Sequence, residues 1–519
     1  MGEISSVAYT QGSFIGPMVA LLVVATLVGI IAHRLRVPYT VSLMVVGIGM
    51  SFINLVPNIE LTQELLMSVF LPALLFEAAI HFPFSELRKF APTIATLALP
   101  GVILTALATA LVMALEVVTF RIQADMTFMH YLLFGTIIAA TDPISVIALF
   151  KQLGVKRKLA IVLEGESLFN DGTAIVIYSV VLTALTSGVF SVQDGAMLFV
   201  TEALFGITLG AMCGAVASLA IPFAKDPLIA IAITTVTAYG TFLVADSLHA
   251  SGVLATATAG LLFGNMGRKF RMDPTSRMAV VSFWRYVAFF VSSIVFLLVG
   301  LEVKVPFLLA HFELIIFAFL AVLASRAISV FLPLGLLSRM GQPMDLNSAT
   351  AIWWGGLRGS LSMVLVLSIP DSIAAKDALI AMTFGVVVLS VIVQGSTMGP
   401  LVRALGVVEK RSDAMAFLSK AIARLRAISV QQKLFATMAI DEELHGANIA
   451  QRLHDERMII LEELAERKDD PEFIKAQEDR IRMIEEELAL AGEDSLMHSA
   501  ENHLITEDDL NELIKPVEH

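Results

Sequence analysis

The sequence predicts an all-α polytopic membrane protein: thirteen transmembrane helices with inverted repeats and two broken crossing helices, followed by a helical cytoplasmic tail. Three observations lead there. Of the 519 residues, 57% are hydrophobic and 16% charged, whereas soluble domains hold about 45–50% apolar and about 25% charged residues. Apolar runs of membrane-crossing length recur along the chain. Charge is also divided unevenly. Residues 1–403 carry 21 Lys+Arg and 21 Asp+Glu, whereas residues 404–519 carry 14 and 26, so the whole net charge of −12 lies in the tail. The chain therefore divides into a transmembrane domain, 1–403, and an acidic helical cytoplasmic domain, 404–519.

Thirteen runs qualify as spans, near 15–32, 38–56, 62–82, 91–118, 129–150, 159–188, 196–223, 227–247, 250–266, 278–301, 306–337, 347–369 and 376–402. Loops after odd-numbered spans hold fourteen Lys or Arg, among them Arg34, Lys151, Lys156 and Arg268. Loops after even-numbered spans hold three, Arg121, Lys304 and Lys376. Basic loops stay in the cytoplasm, which places the amino terminus outside and the tail inside. No basic residue precedes the first apolar run, which argues against a cleaved leader.

Several spans are interrupted. Span 3 carries Pro72 and then Glu77. Span 5 carries Thr141-Asp142-Pro143, where proline lacks an amide donor and disfavours a helical predecessor, so carbonyls come free beside a carboxylate. Span 9, from His249 to Asn265, is rich in small residues suited to close helix contact. In span 12, Gly355, Gly356 and Gly359 surround Arg358. Two interrupted spans in different halves point to a transporter with inverted repeats, spans 4–6 matching spans 11–13. The broken ends would then meet near the midplane, with Asp142 and Arg358 answering their dipoles. In the tail, Ala414–Ala436, Ile449–Arg467 and Glu472–Ala491 have amphipathic helical spacing, able to pack on a regulator or a twin subunit.

Span 6 carries the densest chemistry, Glu164-Gly-Glu-Ser-Leu-Phe-Asn-Asp-Gly-Thr173. Glu166 and Asn170 lie four apart on one helix face, and Ser167 and Asp171 share the next. Ionised carboxylates in a membrane span are costly and mark ion or proton sites unless they serve helix packing. Arg326 and Arg358 need carboxylate partners for the same reason, and Arg326 with Glu166 makes a fixed pair. Asp171 and Glu77 are then left to hold either a proton or a metal cation. Hard alkali cations prefer oxygen, which Asp171, Glu77, Ser167 and the Thr141 carbonyl supply, with Asp142 acting through water. Arg285 and Glu313 fall near span ends, where reaching toward the interface explains them.

Other chemistry is excluded. The lone Cys213 permits no internal disulfide, and no zinc spacing, phosphate-cradling glycine loop or hydrolase triad occurs. No cofactor is called for. The acidic tail would repel nucleic acid. A channel would need a carbonyl filter or a pore-lining ring, and no such filter sequence occurs. An intramembrane aspartyl enzyme built on Asp142 and Asp171 would leave Ser167 and Asn170 without a role.

Taken in order, Thr-Asp-Pro, Glu-Ser-Leu-Phe-Asn-Asp-Gly-Thr, His-Ala-Ser-Gly-Val-Leu-Ala-Thr-Ala-Thr-Ala-Gly and Gly-Gly-Leu-Arg-Gly-Ser resemble the NhaP-type sodium/proton antiporters of the cation/proton antiporter superfamily. Residues 136–178 are also similar to the plant plasma-membrane sodium exporters. The resemblance covers about residues 15–403. It implies exchange of Na⁺ (or Li⁺) for H⁺ by alternating access, with K⁺ for Na⁺ as the alternative. It makes Asp171 the shared cation and proton site, with Glu77, Ser167 and Thr141 as ligands and Asp142 reaching the ion through water. Asn170, where the electrogenic branch has a second aspartate, implies electroneutral one-for-one exchange. Glu166 and Arg326 become an ion pair that also holds Asn170, and Arg358 steadies span 12. The resemblance further implies a homodimer in the cell membrane, serving pH homeostasis and salt tolerance.

Overall fold

The computed structural model describes residues 4–35, 37–52, 64–120, 126–188, 192–267, 272, 274–340 and 344–408, with 443–468 and shorter pieces between 417 and 478 in the tail. Among these residues the chain is helical, without a strand, and forms a polytopic membrane architecture. It divides into two compact units, Met1–Val408 and Glu409–His519.

The first unit opens with α1 (Ile4–Leu35) and α2 (Tyr39–Ser51). A wide π turn, Leu65–Phe70, runs without a break into α3 (Leu71–His81), and Pro72, which lacks an amide for the ladder, stands just after it. Next come α4 (Phe84–Ala98) and α5 (Pro100–Phe120). The sequence predicts one span over 91–118; the observed helix starts earlier and is broken at Leu99, because Pro100 has no N–H for the ladder. The succeeding helices are α6 (Phe128–Ala139), α7 (Ile144–Leu153), α8 (Arg157–Ser187), α9 (Val192–Ala220), α10 (Pro227–Ser247) and α11 (Gly252–Leu262). After α12 (Pro274–Glu302) come the short α13 (Val305–Ala310) and α14 (Phe312–Arg339), separated at His311 where a single span is predicted. The unit closes with α15 (Leu346–Gly355), α16 (Ser360–Leu367), α17 (Lys376–Leu389) and α18 (Gly395–Ala404).

Seven described helices are long and apolar enough to cross a membrane, or eight when the α15–α16 pair, bent by 45°, counts as one. Five shorter apolar helices accompany them. Small residues set the closest contacts. A Cβ on Gly210 or Gly214 of α9 would run into the carbonyls of Ala255 and Ala259 on α11, so the predicted small-residue run packs backbone to backbone. On α2, Gly47 meets Gly300 of α12 in the same way. Both tryptophans of α15 point into protein: Trp353 donates to the Leu323 carbonyl at 2.9 Å and Trp354 to Thr397 Oγ1 at 2.9 Å.

In the second unit, α19 (Glu443–Glu466) covers most of the predicted helix 449–467. Its Ile460 is buried with Ala421 and Ile428, and Arg467 lies 4.3 Å over the Phe417 ring. The predicted tail helices 414–436 and 472–491 lie largely outside the described residues.

Candidate functional site

The site starts from two helix interruptions that face one another. Helix α6 stops at Ala139, and residues 140–143 run non-helical into α7. Residues 356–359 likewise separate α15 from α16. Each interruption satisfies the backbone of the other. The Asp142 amide donates to the Leu357 carbonyl at 2.8 Å. Arg358, 1% exposed, donates through Nη1 to the carbonyls of Ala139 and Ala140 at 3.2 and 3.3 Å. A guanidinium thus sits at the negative end of the α6 half-helix, and Asp142 Oδ1 accepts from Ile144 N at 3.0 Å at the positive end of α7. Ser362 Oγ donates to the Ile137 carbonyl at 2.8 Å, and Ser390 Oγ accepts from Arg358 N at 3.2 Å. A Cβ on Gly359 would overlap the Asp142 side chain, so only glycine lets the two breaks approach this closely.

Helix α8 runs beside this crossing and presents two faces. Glu166 and Asn170, both 0% exposed, lie on the inward one. Glu166 accepts two bonds from Arg326 of α14, Nη1 to Oε1 at 2.5 Å and Nη2 to Oε2 at 3.0 Å. Arg326 is 3% exposed, so this is a bidentate ion pair buried on both sides. Asn170 Nδ2 donates to Thr141 Oγ1 at 2.7 Å, and its Oδ1 has no hydrogen-bond partner. The expectation that the ion pair holds Asn170 is therefore corrected: the amide ties α8 to the α6–α7 break instead. Ser167, on the adjacent face, donates to the Thr141 carbonyl at 2.6 Å. That carbonyl lies in the non-helical stretch before α7 and keeps a second lone pair beside the bond from Ser167.

A cavity of about 540 Å³ lies against this crossing. One wall is formed by α2, α3 and α12, the other by the α6–α7 break, α7, α8 and the start of α16. Glu77, Thr141, Asp142, Ser167 and Asp171 all line it, so five residues distant in sequence share one space. Asn170, Glu166, Arg326 and Arg358 stand behind the wall. The Asp171 carboxylate has no hydrogen bond or ion pair among the described residues. Glu77 lies 3.4 Å from His81 Nδ1, one turn along α3. The cavity also takes in His81, Lys151, Glu164 and Arg285. From the sequence, Lys151 falls in a loop, Arg285 near a span end and Glu164 near the cytoplasmic entrance, and His81 has no assigned role. The signal that could have found them is their common placement toward the cytoplasmic ends of four predicted spans.

The comparisons agree with this architecture. The family model for the transmembrane sodium/hydrogen exchangers matches residues 21–404. The Na⁺/H⁺ antiporter ApNhaP of Aphanothece halophytica is 38% identical over 412 residues, covering 78% of this chain and 76% of its own. The low-affinity Na⁺/H⁺ antiporter NhaS1 of Synechocystis is 34% identical, covering 83% and 82%. Among solved structures, the sodium proton antiporter MjNhaP1 of Methanocaldococcus jannaschii superposes with a TM-score of 0.62 at 24% identity, over 75% of this chain and 98% of that one, and shares its fold. A transmembrane helical unit with this crossing and this match along most of its length belongs to the sodium/hydrogen exchanger family.

Proposed function

We propose that the chain exchanges Na⁺, or Li⁺, for H⁺ across the cell membrane, with both ions competing for Asp171. The observation that carries the reading is a cavity-lining carboxylate with no protein cation or donor of its own, beside a helix crossing. An unpaired carboxylate in a low-dielectric wall holds a proton or a metal cation, not neither. Around it, Ser167 gives its proton to Thr141 and keeps its lone pairs for a cation. Glu77, the Thr141 carbonyl and Asp142 through water complete an oxygen site. Asn170, neutral and bonded to Thr141, adds no second charge, which supports one-for-one, electroneutral exchange. Glu166, Arg326 and Arg358 hold the frame.

If the five shorter apolar helices also cross, they make thirteen spans with the seven long ones and the bent pair, and these would be related as inverted repeats crossing at 140–143 and 356–359. Residues 1–403 would form the antiporter domain and 404–519 the cytoplasmic one, with the amino terminus outside. A homodimer, with six helices moving against the dimerising wall, would open the cavity to each side in turn. Salt tolerance and pH homeostasis are the roles such exchange serves.

The test is dissipation of a pH gradient in proteoliposomes on adding Na⁺, Li⁺ or K⁺, with and without a valinomycin clamp, for wild type and Asp171→Asn. Dissipation by Na⁺, unchanged by the clamp and absent in the folded variant, is expected. Response to K⁺ alone would reassign the substrate; a fully active Asp171→Asn would remove the claim.

A further inference from the structure

The cavity has two charged levels. Asp171 lies seven residues further along α8 than Glu164, about 10 Å at the helical rise. Glu164 stands in the second turn of α8. Around it, Glu77 and His81 come from the last turns of α3, Lys151 from the last turn of α7, and Arg285 from the fourth turn of α12. All five line the cavity. Lys151 is exposed, lines the cavity together with Glu77 and Glu164, and has no hydrogen bond or ion pair among the described residues.

A mouth lined by Glu77 and Glu164 alone would focus cations toward Asp171 and raise their local concentration. Two fixed cations at the same level offset that attraction. Arg285 carries a planar fork on a long helix, whereas Lys151 carries a flexible ammonium at the end of a short one. We propose that Lys151 is a tethered competitor of the transported cation: its ammonium occupies the field of Glu164 at the cavity mouth and sets the apparent affinity of the exchanger. The proposal rests on the exchange reading above. Lys151 thereby tunes KM, and the deep site and its proton set the maximal rate.

The test is initial rates of Na⁺-driven proton movement in proteoliposomes of the full chain, against Na⁺ concentration, at low ionic strength and again with N-methyl-D-glucamine chloride added. In Lys151→Gln the KM should fall about three- to tenfold, with the maximal rate held, and further in Lys151→Glu. Lys151→Arg should restore the wild-type KM, and added salt should shrink all the differences. Glu164→Gln, on a different helix, should raise KM. Unaltered KM in Lys151→Glu with exchange intact, or a Glu164→Gln KM that is unchanged or lower, overturns the proposal and leaves the exchange reading standing. Wild-type vesicles that exchange nothing overturn the exchange reading itself.

Discussion

The buried pair Glu166–Arg326 is the place where one atom changed should be felt most. Both groups are almost fully out of water and bonded through two contacts. Replacing a buried pair by apolar groups is often neutral, but removing one partner strands a charge and costs about 3–5 kcal/mol. Glu166→Gln should therefore lower the melting temperature of the purified protein markedly. Glu166→Gln combined with Arg326→Met should recover most of the loss, since no bare guanidinium remains. Equal melting of the single variant and wild type would show that the pair carries no such load. The pairing was legible because an intramembrane arginine demands a carboxylate and only a few are available. The partner of Asn170 was not, because an amide can donate to any oxygen in reach, and Thr141 is brought there by a break that spacing alone does not orient.

Among the elements, the two breaks hold one another, and their closeness hangs on Gly359. A methyl group there would enter the space of the Asp142 carboxyl, whereas one on Gly335 of α14 would meet nothing within 4 Å. Gly359→Ala should push the breaks apart, weakening the Asp142 amide bond to Leu357, and should reduce exchange severely in protein that still inserts. Gly335→Ala should leave exchange unchanged and stabilise its helix slightly, by up to about 1 kcal/mol. Sodium-driven proton movement in both variants decides the matter; normal exchange in Gly359→Ala would mean that the approach is not needed. Where the helices loosen was readable from Pro143 and from the glycines around Arg358, since both signals act within a few residues. The kink at His311 was not, because an apolar run reads the same whether or not its axis bends; the one at Leu99 has its signal in Pro100, which a span read from hydropathy alone passes over. The cavity mouth was equally hidden: Glu164 and Lys151 become neighbours only once α7 and α8 lie side by side.

At the scale of the molecule, the question is how the acidic unit beyond Val408 bears on the membrane unit. The last residues of the latter form a strap. Asn347 Nδ2 donates to the Leu405 carbonyl at 2.9 Å, Gly406 turns the chain at φ 63°, Lys156 N donates to the Val407 carbonyl at 3.1 Å, and Val155 and Val408 form an antiparallel bridge. The strap is thus fastened to the loop that joins α7 to α8, the two helices that carry Lys151 and Asp171 to the cavity. A chain cut after Val408 keeps every one of these bonds and should exchange with its maximal rate intact, whatever shift in pH profile follows from losing the tail. A chain cut after Leu405 loses the Val407 and Val408 contacts, about 1–2 kcal/mol of hydrogen bonding, together with the burial of Val407. It should melt a few degrees lower and show an altered pH profile beyond that of the first truncation, because the α7–α8 loop is then free to shift. Thermal melting and exchange against pH, run on both truncations in verified inserted protein, separate the possibilities. Identical behaviour of the two would make the strap passive, and loss of exchange in the longer one would make the acidic unit part of the transport machinery.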